Sequence, residues 1–242
     1  MGKIRQFLLG IIFPSYCLLC QKNGNTFICP DCQVEMALLI RQVCPYCGEP
    51  SLTGQVHSKC RKGWYLEGLV SAFVYRSSFK KIITQVKFEP YLFSVLEELT
   101  TNTLKYLDSN DLFLPFREFV EKEDPVVIPI PLHRAKQKKR GFNQAQIIAK
   151  IIAREYNLAL EKKLLTRIKD TKPQYQLDEK GRKKNLKNAF KVSQERIDNC
   201  LGELPSVLLV DDIWTTGTTM KNAARVLKKA GIGKIWGLTL AQ

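Results

Sequence analysis

Long apolar runs are missing from this chain: no window approaches the roughly 20 residues of a transmembrane helix, which excludes a helical membrane span. The apolar N-terminal run MGKIRQFLLGIIFP has Lys3 and Arg5 before it but no small-residue cleavage site, and it leads straight into a cysteine pair. It therefore reads as a short apolar helix packed on the body rather than a signal peptide, in a cytosolic protein. Histidine is scarce: only His57 and His133 occur. Acids are scarce too, with 23 Asp and Glu against 38 Lys and Arg, a formal net charge of +15. Such an excess points to a polyanionic partner or substrate, the bland alternative being a basic surface that serves solubility alone. The cysteine-rich segment of about fifty residues holds too few large apolar side chains to bury much core of its own. The whole is 45% hydrophobic and 25% charged over 242 residues, values of a globular chain with one large domain or a medium and a small one.

What the first sixty residues do hold is cysteine, seven of the eight in the chain. They fall as Cys17-x-x-Cys20, Cys29-x-x-Cys32, Cys44-x-x-Cys47 and, completed by a histidine, His57-x-x-Cys60. Each such pair turns two ligand atoms to one side of a knuckle, half of a tetrahedral zinc site. Four halves allow two structural zinc ions. Short gaps of eight and nine residues favour sequential closure, Cys17, Cys20, Cys29 and Cys32 in one site and Cys44, Cys47, His57 and Cys60 in the other. A crossed pairing of alternate knuckles stays open, and disulfides are the bland alternative, which a cytosolic setting disfavours. Metal would then supply the folding free energy that the core lacks. Between the sites, the pattern from Val34 to Arg41 predicts a short helix. Cys200 has no ligand partner nearby and reads as a plain thiol.

The most informative stretch lies near the C-terminus, VLLVDDIWTTGTT from Val207 to Thr219. Four apolar residues predict a strand buried on both faces, as in a parallel sheet. Asp211 and Asp212 follow, then a loop of Thr215, Thr216, Gly217, Thr218 and Thr219, then helical spacing from Met220 to Lys229. The loop would aim successive N–H groups and a helix N-terminus at one spot suited to a phosphate. The acids, as pure acceptors, suit nearby hydroxyls. A sugar phosphate is the ligand implied; an ordinary capped strand–helix turn is the alternative. This stretch resembles the signature of type I phosphoribosyltransferases, which implies phosphoribosyl pyrophosphate (PRPP) as the ligand.

Further strands are predicted at Leu66 to Tyr75, Val126 to Ile130, Leu164 to Ile168 and Lys234 to Leu240. Helices are predicted at Phe79 to Lys87, Tyr91 to Leu107 and Asn143 to Tyr156, with Asn110 to Asp124 as a surface connection. Alternation of this kind gives an α/β fold, a parallel sheet with helices on both faces and ligands beyond the carboxyl ends of its strands. The division expected is a zinc-binding module over residues 1–63 and an α/β domain over 64–242. Cations cluster in two places, RAKQKKR from Arg134 to Arg140 and the polar stretch from Lys169 to Phe190, expected as a long mobile loop or extended hairpin.

The stretch IPIPLHRAKQKKRGFNQAQIIA, with Pro129-x-Pro131-Leu132-His133 followed by Arg140-Gly141-Phe142-Asn143-Gln144, resembles the ComF (ComFC/GntX-like) family. So do the double zinc module, Val86-Lys87-Phe88, and Arg182-x-x-Asn185-x-x-x-Ala189-Phe190. His57 departs from the usual cysteine, which zinc tolerates, and Glu89-Pro90 stands where a glycine is common. The resemblance implies a zinc ribbon fused to a type I phosphoribosyltransferase-like domain. It also implies a competence protein that takes up single-stranded transforming DNA with a helicase partner, in the cytoplasm or recruited to the inner face of the membrane. By position, Pro129 to Arg134 would be the pyrophosphate loop, with Arg134 and Arg140 on pyrophosphate oxygens. His133 is a weaker candidate for a base, and magnesium would be held mainly by ligand oxygens and water. Lys136, Lys138, Lys139, Lys183, Lys184 and Lys187 are candidates for the phosphates of a single strand, with Phe142, Tyr175 and Phe190 available for stacking. Two other functions stay open: a catalytically active phosphoribosyltransferase acting on a base or nucleic acid, and a regulator that senses PRPP without turning it over.

Overall fold

The structure is a computed structural model describing residues 16–24, 26–61, 65–88, 93–169, 189–198 and 206–242. The expected N-terminal helix, the Glu89-Pro90 turn, Tyr175, Lys183, Lys184, Lys187 and Cys200 lie outside the described residues.

The cysteine-rich region contains a helix α1 (Pro30–Glu35) and a small antiparallel pair, β1 (Gln42–Val43) and β2 (Pro50–Ser51). The helix lies earlier than the Val34 to Arg41 expected. Pro30 starts it at the first turn, where no N–H is needed. The residues after it are claimed by another partner: Leu39 N–H donates to Ala72 O, and Val74 N–H donates to Ala37 O.

The chain then forms β3 (Gly68–Phe73), α2 (Ser77–Phe88), α3 (Phe93–Ser109), α4 (Leu114–Glu123), β4 (Val126–Pro129), α5 (Arg134–Arg140) and α6 (Gln144–Glu155). It continues as β5 (Leu165–Arg167), β6 (Phe190–Val192), α7 (Gln194–Asp198), β7 (Val207–Ile213), α8 (Thr218–Lys229) and β8 (Ile235–Ala241). The central sheet is four-stranded and parallel, in the order β3-β8-β7-β4. The expected strand at Leu164 to Ile168 is not part of it: β5 pairs antiparallel with β6 in a separate ribbon.

Asn110 to Asp124, expected as a surface connection, is instead a 3-10 turn leading into α4. Pro115 opens the helix, and Phe113, Phe116 and Phe119 are buried at helical spacing under a charged exterior. Phe116 and Phe119 lie 5.8 and 5.7 Å from the Trp236 ring of β8. Arg117 collects the carbonyls of Leu107, Asp108 and Asn110 at 3.2, 2.6 and 3.1 Å, closing the end of α3.

Both faces of the sheet are covered. One carries α2, α3, α4 and α6 through Ile82, Leu96, Phe116 and Ile148. The other carries α8 and the β5–β6 ribbon through Ala223, Leu227, Leu165 and Phe190. The β7 strand divides its side chains accordingly, Val207 and Leu209 to one core and Leu208 and Val210 to the other.

The outer edge of β3 is occupied by the cysteine-rich region. Leu38 bridges Phe73, Gln55 bridges Gly68, and Leu69 N–H donates to Gly54 O. Between these bridges, the buried side chain of Gln42 acts as a short piece of strand. Its Nε2 donates to Ser71 O at 3.0 Å, and its Oε1 accepts from Ser71 N–H at 2.9 Å. Gln242 Nε2 also donates to that oxygen, at 3.4 Å. On the opposite edge, Val127 N–H and C=O pair with Ala159 and Glu161.

Gln42→Ala would leave both main-chain groups of Ser71 buried without partners, at about 1–3 kcal/mol each. The melting temperature is expected to fall by several degrees, against no change for exposed Lys105→Ala, as read by thermal denaturation followed by circular dichroism.

Candidate functional site

Two clusters of ligand atoms stand in the cysteine-rich region. Cys17, Cys20, Cys29 and Cys32 form one and Cys44, Cys47, His57 and Cys60 the other, each set lying within 4.8 Å of one another. The pairing is sequential, not crossed, and the sulfurs are free rather than bridged. A tetrahedral zinc with Zn–S of about 2.3 Å sets sulfurs about 3.8 Å apart. Cys20 Sγ and Cys29 Sγ are 3.7 Å apart, and Cys47 Sγ is 3.4 Å from His57 Nδ1. Both clusters are therefore compatible with structural zinc.

The two sites repeat one local design. In each, the residue after the second cysteine takes a left-handed backbone, Gln21 at φ 62° and Gly48 at φ 79°. That turn folds the knuckle so that Gln21 N–H meets Cys17 O and Gly48 N–H meets Cys44 O. In each, the first sulfur accepts an N–H from the third ligand residue, Cys29 to Cys17 and His57 to Cys44, both at 3.5 Å. His57 Nε2 faces Pro50 O at 3.0 Å, which fixes the ring and leaves Nδ1 toward the sulfurs. Burial and then the neighbouring sulfurs push Cys60 up to about 11 and Cys32 up as well, as expected for thiols crowded together; a dication would stabilise their ionised forms.

The sites differ in what surrounds them. Cys17 and Cys32 join the large core with Ile28 and Met36, whereas Cys44 and Cys60 share only Val56.

The second feature is the loop between β7 and α8. Strand β7 ends at Ile213, and Trp214 N–H donates to Ala241 O at 2.8 Å. The Trp214 ring then folds beneath Gly217, where any Cβ would strike it, and Gly217 sits at φ 67° as the N-cap of α8. Only glycine meets both conditions. Thr216 Oγ1 and Thr218 Oγ1 are 2.8 Å apart, and Asn222 Nδ2 donates to Thr218 O at 2.8 Å, so the hydroxyl loop is pinned to the first turn of the helix. Thr215 is exposed, and Thr219 half-buried on that turn.

Asp211 and Asp212 occupy the end of β7, one residue past the Val210 carbonyl that accepts from Ile130 N–H. Asp212 N–H donates to Asp211 Oδ1 at 2.9 Å. Burial, followed by the charge of Asp212, pushes Asp211 well above the ordinary carboxylate range, and Arg167 acts in the opposite direction. The guanidinium of Arg167 lies 5.6 Å from the Phe190 ring in the β5–β6 ribbon. Nothing in the sequence around Arg167 marked it as a neighbour of the acidic pair.

The loop from Pro129 to Arg134 leaves β4 beside these acids. His133 serves as N-cap of α5, its Nδ1 accepting from Ala135 N–H at 3.3 Å. Arg134, Lys138 and Lys139 are exposed on α5; Lys136 and Arg140 are half-buried, with Arg140 3.5 Å from Gln144 Oε1. Asn143 is buried and ties the loop to α6: Nδ2 donates to Ile130 O at 3.0 Å and Oδ1 accepts from Ala145 N–H at 3.2 Å. Phe142 is half-buried and packs edge-on to Phe93 at 4.7 Å, whereas Phe190 is buried and offers no stacking platform.

A cleft of about 610 Å³ opens beside the threonine loop. One side is Trp214, Thr215, Thr216, Thr218, Lys221 and Asn222, and the other is Val43, Tyr46, Cys47 and Gly48 of the second zinc knuckle. Gln242 completes the lining. Sequence reasoning missed this second side, because Tyr46 sits inside a cysteine pair where only the sulfurs draw notice. Among the described residues, no helix is long and apolar enough to cross a membrane.

Comparison with known proteins agrees with these observations. Residues 8–61 match the model of the double zinc ribbon domain. The chain is 28% identical to competence protein F of Haemophilus influenzae, over 93% of this chain and 96% of that protein. It is 29% identical to the DNA utilization protein YhgH of Escherichia coli over the same shares, and 26% identical to competence protein ComFC of Bacillus subtilis over 84% and 79%.

Elemental analysis of the purified chain is expected to find two zinc ions, and Cys47→Ser about one; fewer than one in the wild type would exclude both sites. Asp211→Asn is expected to stabilise the ligand-free chain. A raised carboxyl favours the protonated folded state, so its contribution to stability is lost as pH rises through the folded value. The gain in melting temperature should be larger at about pH 8 than at about pH 5.

Proposed function

As a homologue of competence protein F and ComFC with an N-terminal double zinc ribbon, this chain, we propose, serves in the uptake of single-stranded transforming DNA and binds PRPP to do so. The observation that carries the PRPP part is the end of β7. A central parallel strand delivers two carboxylates and then a glycine-turned hydroxyl loop at a helix N-terminus. In parallel α/β sheets this end is where ligands sit. The 5-phosphate would take the N–H groups and hydroxyls of Thr215 to Thr219, and the ribose hydroxyls would take Asp211 and Asp212.

Arg134 and Arg140 stand by the neighbouring strand end as candidates for the pyrophosphate, and magnesium would be held mainly by ligand oxygens and water. The module over 1–63 and the domain over 64–242 are proposed as the two units. The cations of α5, Lys138 and Lys139 foremost, would follow the phosphates of a single strand, together with Lys183, Lys184 and Lys187. A helicase partner and a cytoplasmic location, at or near the inner face of the membrane, complete the reading.

Isothermal titration with PRPP tests it. Asp211→Ala with Asp212→Ala should weaken binding at least about tenfold while zinc content stays unchanged. Unchanged affinity would mean that the loop holds something else. A pyrophosphate-release assay with single-stranded DNA present separates binding from turnover. For DNA, Lys138→Ala with Lys139→Ala should flatten the slope of log affinity against log salt by about one unit, equally for unrelated sequences. An unaltered slope would make α5 a solvated face.

A further inference from the structure

The cleft beside the threonine loop has two unlike sides. The loop side offers hydroxyls, main-chain N–H groups and the Lys221 ammonium, a set that suits an anion. The far side offers Val43 and the ring of Tyr46, which is half exposed at 49% although it belongs to a short, tightly turned knuckle. The two sides are tied together. Lys221 Nζ donates to Tyr46 O at 3.3 Å and lies 5.4 Å from the Trp214 ring, so one side chain spans from α8 to the knuckle. Gln242 also lines the cleft, and its Nε2 donates to Gln42 Oε1 at 3.4 Å. A ligand that meets both sides has an anionic end and a planar apolar part beside an aromatic ring.

We infer that the second zinc knuckle is a wall of the ligand site and takes the heterocyclic base of a nucleotide, whose sugar phosphate lies in the threonine loop. The inference rests on the sugar-phosphate reading above and adds the base to it. In this assignment Tyr46 stacks on the base. The second zinc, whose ligands have almost no apolar core of their own, holds that wall in place, so its role extends past folding. The first site, embedded in the main core, has no part in the cleft.

The test is titration of the full zinc-loaded chain with three probes: ribose 5-phosphate, adenosine 5′-monophosphate and cytidine 5′-monophosphate. Both nucleotides should bind about tenfold tighter than the sugar phosphate, the scale of one base stacked on one ring. Tyr46→Ala should erase that difference while leaving ribose 5-phosphate affinity and a zinc content of two intact, and Tyr46→Phe should restore it. Equal affinity of all three probes for the wild type would overturn the base site and leave the sugar-phosphate reading standing. Equal loss of all three in Tyr46→Ala would also overturn it, since the ring would then act on the loop alone. If ribose 5-phosphate fails to bind, the sugar-phosphate reading itself fails and the base site falls with it.

Discussion

The hydrogen bonding of the β3 edge is the constraint on which the arrangement depends. An edge strand of a parallel sheet presents unpaired N–H and C=O groups, which are costly when covered by anything that does not pair with them. Here they are satisfied in sequence by Ala37 and Leu39, by the side chain of Gln42, and by Gly54 and Val56. All of these residues come from the segments between and around the two zinc sites. The region cannot bury enough apolar surface to hold its own shape, so the metal ligands fix the segments and the segments complete the sheet. Metal binding and the integrity of the α/β core are thereby joined through main-chain hydrogen bonds.

The same connection has a consequence at the far end of the strands. Once Gln42 is locked onto Ser71, the knuckle that follows it is carried past the end of β3 toward the threonine loop. Lys221 fastens it there through Tyr46 O, and Gln242 at the end of β8 reaches back to Gln42. The cleft is therefore built by two chain regions about 170 residues apart, held in register by the β3 edge bonds, the buried Gln42 amide among them, and by Lys221. The tolerances are close on the loop side as well, where Trp214 fills the space that a side chain on Gly217 would need.

Much of this was legible in the sequence, and the reasons are local. Cysteine spacing is a short-range signal, and both clusters close as the gaps between knuckles suggested. The β7 strand, the acid pair and the glycine turn are contiguous, so one stretch specifies them all. Helices α2, α3 and α6 and the central strands were visible from apolar periodicity. The failures have different causes. In α4 and the turn before it the three phenylalanines were masked by interleaved charge, and the Val34 to Arg41 segment has a helical pattern but a stronger competing partner in β3. At the site, Arg167 reaches the acid pair, and Tyr46, Lys221 and Gln242 reach the cleft, only through tertiary packing. No spacing rule connects residue 46 with residue 221.

If the second knuckle walls the ligand cleft, the second zinc site and the cleft are one thermodynamic unit. A ligand that grips the knuckle from outside must oppose the opening through which its zinc escapes. The direct measurement is zinc transfer from the full chain to a chromophoric chelator, with and without cytidine 5′-monophosphate at about 100 times its dissociation constant. One of the two zinc ions should leave about tenfold or more slowly when the nucleotide is present, and the other at its original rate. Identical release of both ions with and without nucleotide would contradict the account.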